Sequence, residues 1–173
     1  MKQILPVLLV FFYINSMACD CYDVKNLQKT QKEQFEMSSL IFVGAVEQLN
    51  DDGTYCFKVI ELLKGQLSDS LIHGKPLGYC YQTPRKWEYM WLIYANPNSD
   101  GTITIDECSL SRSFFFPYLS NEQAKVPPPA PLYTTSDKTM TMLESEANAL
   151  EYKKRALDVL RAEIEQLRKW RDE

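Results

Sequence analysis

Residues 40–65, LIFVGAVEQLNDDGTYCFKVIELLKG, read as two strands joined by a tight turn. Leu40 to Leu49 is one apolar strand. Gly44 inside it marks a bulge or a sharp bend, as a small barrel needs at its corners. Asn50-Asp51-Asp52-Gly53 is a strong turn signal. In the returning strand, Thr54 to Leu63, Tyr55, Phe57 and Val59 alternate with Cys56 and Lys58, so one face points to a core. Lys64-Gly65 ends it.

Further strands follow toward the C-terminus. Residues 66–76 read as a loop, and a strand near Leu77 to Gln82 carries Cys80 until Thr83-Pro84 breaks it. EYMWLIYA, Glu88 to Ala95, is the most apolar strand and is expected at the centre of a sheet. Asn96 to Gly101 is a turn cluster, and Thr102 to Asp106 is a short alternating strand that delivers Cys108. Five strands joined largely by tight turns favour an antiparallel barrel, closed or nearly so, over a βαβ fold. SFFFPYL, Ser113 to Leu119, reads as a short helix or an apolar flap over a barrel end. Upstream, Asn26 or Thr30 caps a short helix reaching Phe35 or Met37, with Leu27 and Phe35 facing inward.

The chain opens MKQILPVLLVFFYINSMACDC. One basic residue, Lys2, precedes an apolar run too short to span a bilayer, which needs about 20 residues. Ser16 and Ala18 are the small residues a signal peptidase takes, so residues 1–18 read as a signal peptide cleaved after Ala18. Cleavage removes Lys2 alone among the charges and shifts the formal net charge from -4 to -5. Phosphate backbones want concentrated Lys and Arg, so this balance argues against nucleic acid as a partner. All five cysteines, Cys19, Cys21, Cys56, Cys80 and Cys108, lie after the expected cleavage point. In an exported chain they read as a disulfide framework with one thiol left over. Cys19 and Cys21 are too close to bond each other without strain, so they tie the mature N-terminus to two distant places.

The C-terminal third has a different character. VPPPAPL, Val126 to Leu132, is stiff and extended and marks a linker over residues 121–135. Residues 136–173 form a long helix that starts near Ser136 or Thr139. Leu143, Leu150, Leu157 and Ile164 recur every seven residues. Leu160 and Leu167 complete the last two heptads, while Glu146 and Lys153 occupy the equivalent earlier positions. Only the C-terminal half therefore promises a good coiled-coil seam. Self-association and packing across the barrel are equally consistent with it.

Cys19-Asp20-Cys21 at the mature start, FVGAVEQL, YCFKVIELLKG, Cys80, WEYMWLIYA and Cys108 together resemble the netrin-like fold. The nearest branch is the N-terminal domain of the tissue inhibitors of metalloproteinases, and the likeness covers about residues 19–116. It implies a mainly β protein: a five-stranded oligonucleotide-binding-type barrel over residues 19–120 with short flanking helices, followed here by the long helix. It implies disulfides Cys19–Cys80 and Cys21–Cys108, with Cys56 left as a thiol. It also implies a mode of action without enzymatic activity, cofactor or intrinsic metal. In such inhibitors the α-amine and carbonyl of the first cysteine chelate a partner protease's zinc, and the second side chain enters the pocket beside it. Cys19 would be the chelator and Asp20 the pocket residue, with Cys21, Tyr22, Leu77, Gly78, Tyr79 and Cys80 completing the ridge. An amine with a pKa near 8 presents its lone pair at little cost. The chain departs from the family in three places. Asp20 stands where a small Ser or Thr is usual, a third disulfide has no counterpart, and the helix replaces a second domain.

One other function is consistent with the sequence, and a third is weighed against it. Ser-Met-Ala-Cys also resembles a bacterial lipoprotein cleavage site. Lipidated Cys19 would hold the protein at a cell envelope, leave four cysteines to pair, and block chelation. The protein would then be a structural or adhesion component assembling through its helix. A redox enzyme using Cys19 and Cys21 is disfavoured by the spacing and the lack of a supporting base. His73 reads as an exposed loop residue, and Glu61 and Glu88 read as solvent-facing rather than as an acid pair. The expected setting is extracellular, with the envelope as the alternative and lipid on Cys19 as the only membrane contact.

Overall fold

A computed structural model describes Cys19, Cys21, Val24, residues 26–119 and residues 138–173. The expected signal peptide and linker, together with Asp20 and Tyr22, lie outside these residues. The order is α1 (Leu27–Met37), β1 (Leu40–Leu49), β2 (Tyr55–Lys64), β3 (Leu71–Gly74), β4 (Tyr81–Gln82), β5 (Met90–Ala95), β6 (Ile105–Asp106), β7 (Arg112–Ser113) and α2 (Lys138–Asp172). The protein is mainly β: a five-stranded antiparallel sheet ordered β3-β2-β1-β5-β7 beside a two-stranded ribbon of β4 and β6. The sheet is not closed. One isolated parallel bridge, Gly74 to Ile103, ties β3 to the segment before β6.

Local chemistry accounts for the hairpin. Asn50 accepts from the Gly53 N–H, and the Asp52 carboxylate accepts from the Thr54 N–H and hydroxyl. Gly53 takes φ +83, where a glycine is unstrained. The β1–β2 register slips between Val43 and Gly44, which places a bulge at the expected glycine. Gly74 is required for close approach: a Cβ there would lie 2.0 Å from the Tyr55 ring. Asn26 caps α1, its side chain accepting from the Lys29 N–H at 3.1 Å.

Three local expectations are corrected. The loop expected at residues 66–76 contains β3, which pairs with β2 in the register Phe57–Ile72. The strand expected at Leu77–Gln82 shrinks to Tyr81–Gln82, because Gly78 adopts φ +133 and turns the chain. Residues 113–119 make neither helix nor simple flap. Arg112–Ser113 adds an edge strand to β5, and irregular chain follows.

Both faces of the sheet are covered. Leu40, Phe42, Tyr55, Phe57, Ile72, Trp91, Ile93, Ile103 and Ile105 form an inner core. On the opposite face Ile41, Val43, Leu92 and Tyr94 meet Leu110, Leu160, Ile164 and Leu167. That double burial explains why β1 and β5 read as continuous apolar runs rather than alternating ones. α2 is thus a layer of the same body. Its last turns also hold α1, through Phe35 against Trp170 with ring centroids 5.2 Å apart.

A buried polar network crosses this outer layer. Glu163 of α2 and Arg112 of β7 are each at most 3% exposed, and Arg112 Nη2 donates to Glu163 Oε2 at 2.8 Å. Gln31 of α1 donates to the same oxygen at 3.0 Å, and the Tyr94 hydroxyl donates to Glu163 Oε1 at 2.6 Å. Arg112 spends its other donors on the Pro117 and Leu110 carbonyls. Four separated segments therefore share one satisfied charge cluster. Near the helix end, Arg168 grips Glu61 through two hydrogen bonds of 2.8 and 2.7 Å. Those bonds are the main reason the Glu61 carboxyl sits below its ordinary pKa.

Candidate functional site

The first described residues are fastened to the sheet region by sulfur. Cys19 bonds Cys80 across 61 positions and Cys21 bonds Cys108 across 87, with Cα–Cα distances of 5.5 and 5.0 Å. Both distances suit a disulfide. The anchors lie at one end of the β4–β6 ribbon, since Tyr81 pairs with Asp106 in antiparallel register, Cys80 precedes Tyr81 and Cys108 follows Asp106. The backbone closes the corner: the Glu107 N–H donates to the Cys80 carbonyl at 3.0 Å, and the Cys108 N–H donates to Asp106 Oδ1 at 2.7 Å.

Beside this anchor lies an exposed segment. Leu77 is 51% and Tyr79 82% exposed, and a Cβ on Gly78 would meet open space. Cys19, Cys21, Leu77, Gly78, Tyr79 and Cys80 are thus brought into one neighbourhood by the Cys19–Cys80 bond, although residues 19 and 80 are far apart in sequence. The other two ridge residues, Asp20 and Tyr22, lie outside the described residues. Cys56 is the free thiol and is buried. Burial foremost, then the charges of Glu47 and Asp69, pushes its pKa up. Among the described residues no cluster of His, Cys, Asp or Glu is suited to hold a metal ion. No described helix is long and apolar enough to cross a membrane. Two disulfides point to an extracellular or otherwise oxidising setting.

A concavity that the sequence does not signal opens next to the ribbon. It is a cleft of about 530 Å³ bordered by Tyr81, Arg85, Glu88, Trp91, Glu107 and Phe116 among others. Glu88 was expected in solvent but is 5% exposed. The turn before β5 folds its carboxylate back, where Oε2 accepts from the Arg85 N–H at 2.9 Å. A mixed apolar and charged stretch gives no periodic sign of such a tuck. Burial raises the Glu88 pKa above its ordinary 4.5, and the Arg85 N–H and charge only partly offset this. A raised value means that the folded state holds the proton more tightly than the unfolded chain, so stability falls as pH rises past 4.5. Glu88→Gln keeps an acceptor for Arg85 without the charge. It should unfold at higher urea than the parent at neutral pH, and the difference should vanish below pH 4.5. A constant difference across that range would show that the carboxylate charge is not the cause.

No protein-family model matches the chain, and no curated protein matches it.

Proposed function

We propose that this chain is an exported netrin-like domain that binds a zinc metalloprotease through its N-terminal ridge and inhibits it. The observation that carries the proposal is the pair of disulfides that ties Cys19 and Cys21 beside the exposed Leu77–Tyr79 segment. A covalently held terminus loses little freedom on docking, and such preorganisation converts contact into affinity. After cleavage at Ala18, the Cys19 amine and carbonyl would form a five-membered chelate on the protease's zinc, in the position a catalytic water normally fills. Asp20 would enter the adjoining pocket, with Leu77 and Tyr79 supplying apolar contact.

The strand order and the isolated parallel bridge from Gly74 to Ile103 support a five-stranded oligonucleotide-binding-type barrel whose sheet stays open. The Cys19–Cys80 bond favours simple secretion over lipidation, since a sulfur in a disulfide has no valence left for a lipid thioether.

The test compares protein beginning at Cys19 with protein carrying one extra N-terminal alanine. Against a panel of zinc endopeptidases, the extension should raise the inhibition constant by about a hundredfold, or ~2.7 kcal/mol. Equal potency would exclude chelation through the amine. Asp20→Ser should tighten inhibition wherever the protease pocket is apolar, because a charge no longer has to be desolvated there.

A further inference from the structure

We propose that the cleft beside the β4–β6 ribbon binds an organic cation, an alkylammonium or guanidinium group, with Glu88 as the carboxylate that receives it. The inference does not rest on protease binding and survives its failure.

A buried carboxylate ordinarily gives its oxygens to donors or to a counter-charge. Glu163 does so, taking hydrogen bonds from Arg112, Tyr94 and Gln31 on its two oxygens. Glu88 does not. It is 5% exposed and borders the cleft, and its Oε2 accepts from the Arg85 N–H at 2.9 Å. Among the described residues its Oε1 has no hydrogen-bond partner, and the carboxylate enters no ion pair. A glutamine would fill the same place without an uncompensated charge. A desolvated acid of this kind, set in the wall of a cleft, is the mark of a binding site.

The charges around the cleft select the ligand. Arg85, Glu88, Glu107 and Arg112 are the charged residues that border it. Arg112 is neutralised by Glu163 at 2.8 Å. Arg85 is exposed, and its guanidinium carbon lies 6.0 Å from the centroid of the Trp87 ring, which is not part of the cleft lining. Water screens that charge, and at Glu88 it only partly offsets the effect of burial. Glu107 is exposed and enters no ion pair among the described residues. Two carboxylates therefore face one solvated guanidinium, and the least screened charge is negative. An anion would be repelled by Glu88, and a neutral ligand would leave it uncompensated. A bare metal ion would need more oxygen ligands, and among the described residues no group of three or more His, Cys, Asp or Glu is suited to hold one. An N–H donor on a carbon chain meets both needs: it pairs with Oε1, and its apolar part lies along Tyr81, Trp91 and Phe116. Aromatic faces also attract a cation. The volume of about 530 Å³ leaves room for a chain of several carbons.

Isothermal titration of the full exported chain with n-butylamine and n-butylguanidine tests this, with n-butanol as the neutral control. Saturable binding of at least one cation is expected, and none of butanol. A blocked tripeptide with a central lysine separates two sources of the same chemistry. Binding of the tripeptide would point to a side chain of a partner protein, and its exclusion to a free amine. Glu88→Gln should weaken cation binding about tenfold or more, as removal of one member of a buried charge pair does. Because this variant is expected to be more stable than the parent at neutral pH, lost binding would not reflect unfolding. The bound cation should raise the thermal midpoint of the parent and leave that of Glu88→Gln unmoved. Glu107→Gln should weaken binding by no more than about threefold, since exposed charges contribute little. No saturable binding of either cation, butanol binding as well as butylamine, or undiminished affinity in Glu88→Gln overturns the proposal. A greater loss from Glu107→Gln than from Glu88→Gln overturns the role given to Glu88.

Discussion

Glu163→Ala should lower the unfolding free energy by about 3–5 kcal/mol, the usual cost of leaving one partner of a buried ion pair uncompensated. The expectation rests on where the charge sits. Glu163 receives hydrogen bonds from Arg112, Tyr94 and Gln31, and all the partners of its carboxylate lie in other segments. Removing it leaves the Arg112 guanidinium without a counter-charge and two further donors without an acceptor. Glu163→Gln keeps the shape and one acceptor oxygen, and should cost less. Replacing Glu163 and Arg112 together by methionine should recover only part of the loss: the pair's desolvation is no longer required, but the Tyr94 hydroxyl and the Gln31 amide still lack an acceptor. Urea melts of the three variants check this. A Glu163→Ala protein as stable as the parent would mean that α2 is not held to the sheet by this network.

Loss of the Cys21–Cys108 bond should be about as costly. Closing a segment of this length restricts the unfolded chain by ~4–5 kcal/mol in the chain-entropy account. Domains of this kind hold only about 5–15 kcal/mol in total. Cys21→Ser with Cys108→Ser should therefore lower the urea midpoint strongly and leave a folded protein only where the remaining margin allows. The Cys19–Cys80 pair should behave similarly, its separation being only modestly smaller. The two bonds differ in their effect on the ridge. Breaking Cys19–Cys80 detaches the terminus from Tyr79, so the proposed inhibition should fall further than stability predicts. Variants that lose stability equally and also retain equal inhibition would argue that the terminus is not the binding element.

How far residues announce their structure depends on the range of the forces acting on them. The hairpin at residues 40–65 was legible because turn chemistry at Asn50–Gly53 and alternation at Tyr55 and Phe57 act over a few residues. Asn26 announced α1 in the same way. β3 was not legible: Leu71–Gly74 is short and lies among turn-forming residues, and it is strand only because β2 offers an edge there. The ridge was partly legible. Cys19 and Cys21 signalled that they must be tied down, whereas the resemblance, not the spacing, suggested the partners. The burial of Glu88 is not legible because it follows from the path of one turn, which leaves no periodic mark in the sequence.

The sequence by itself determined that this is a mainly β chain with a long C-terminal helix and cysteines placed for an oxidising setting. Periodicity, turn residues and helix propensity are local quantities and can be read in order. Only the tertiary structure decided which face of α2 meets the sheet. The heptad leucines were equally available, but Leu143 and Leu150 stay exposed while Leu160 and Leu167 are buried. The reason is physical: burying the face that carries Glu163 requires a counter-charge, and Arg112 supplies it from a strand 51 positions away. A pairing of that kind exists only once the chain has folded back on itself.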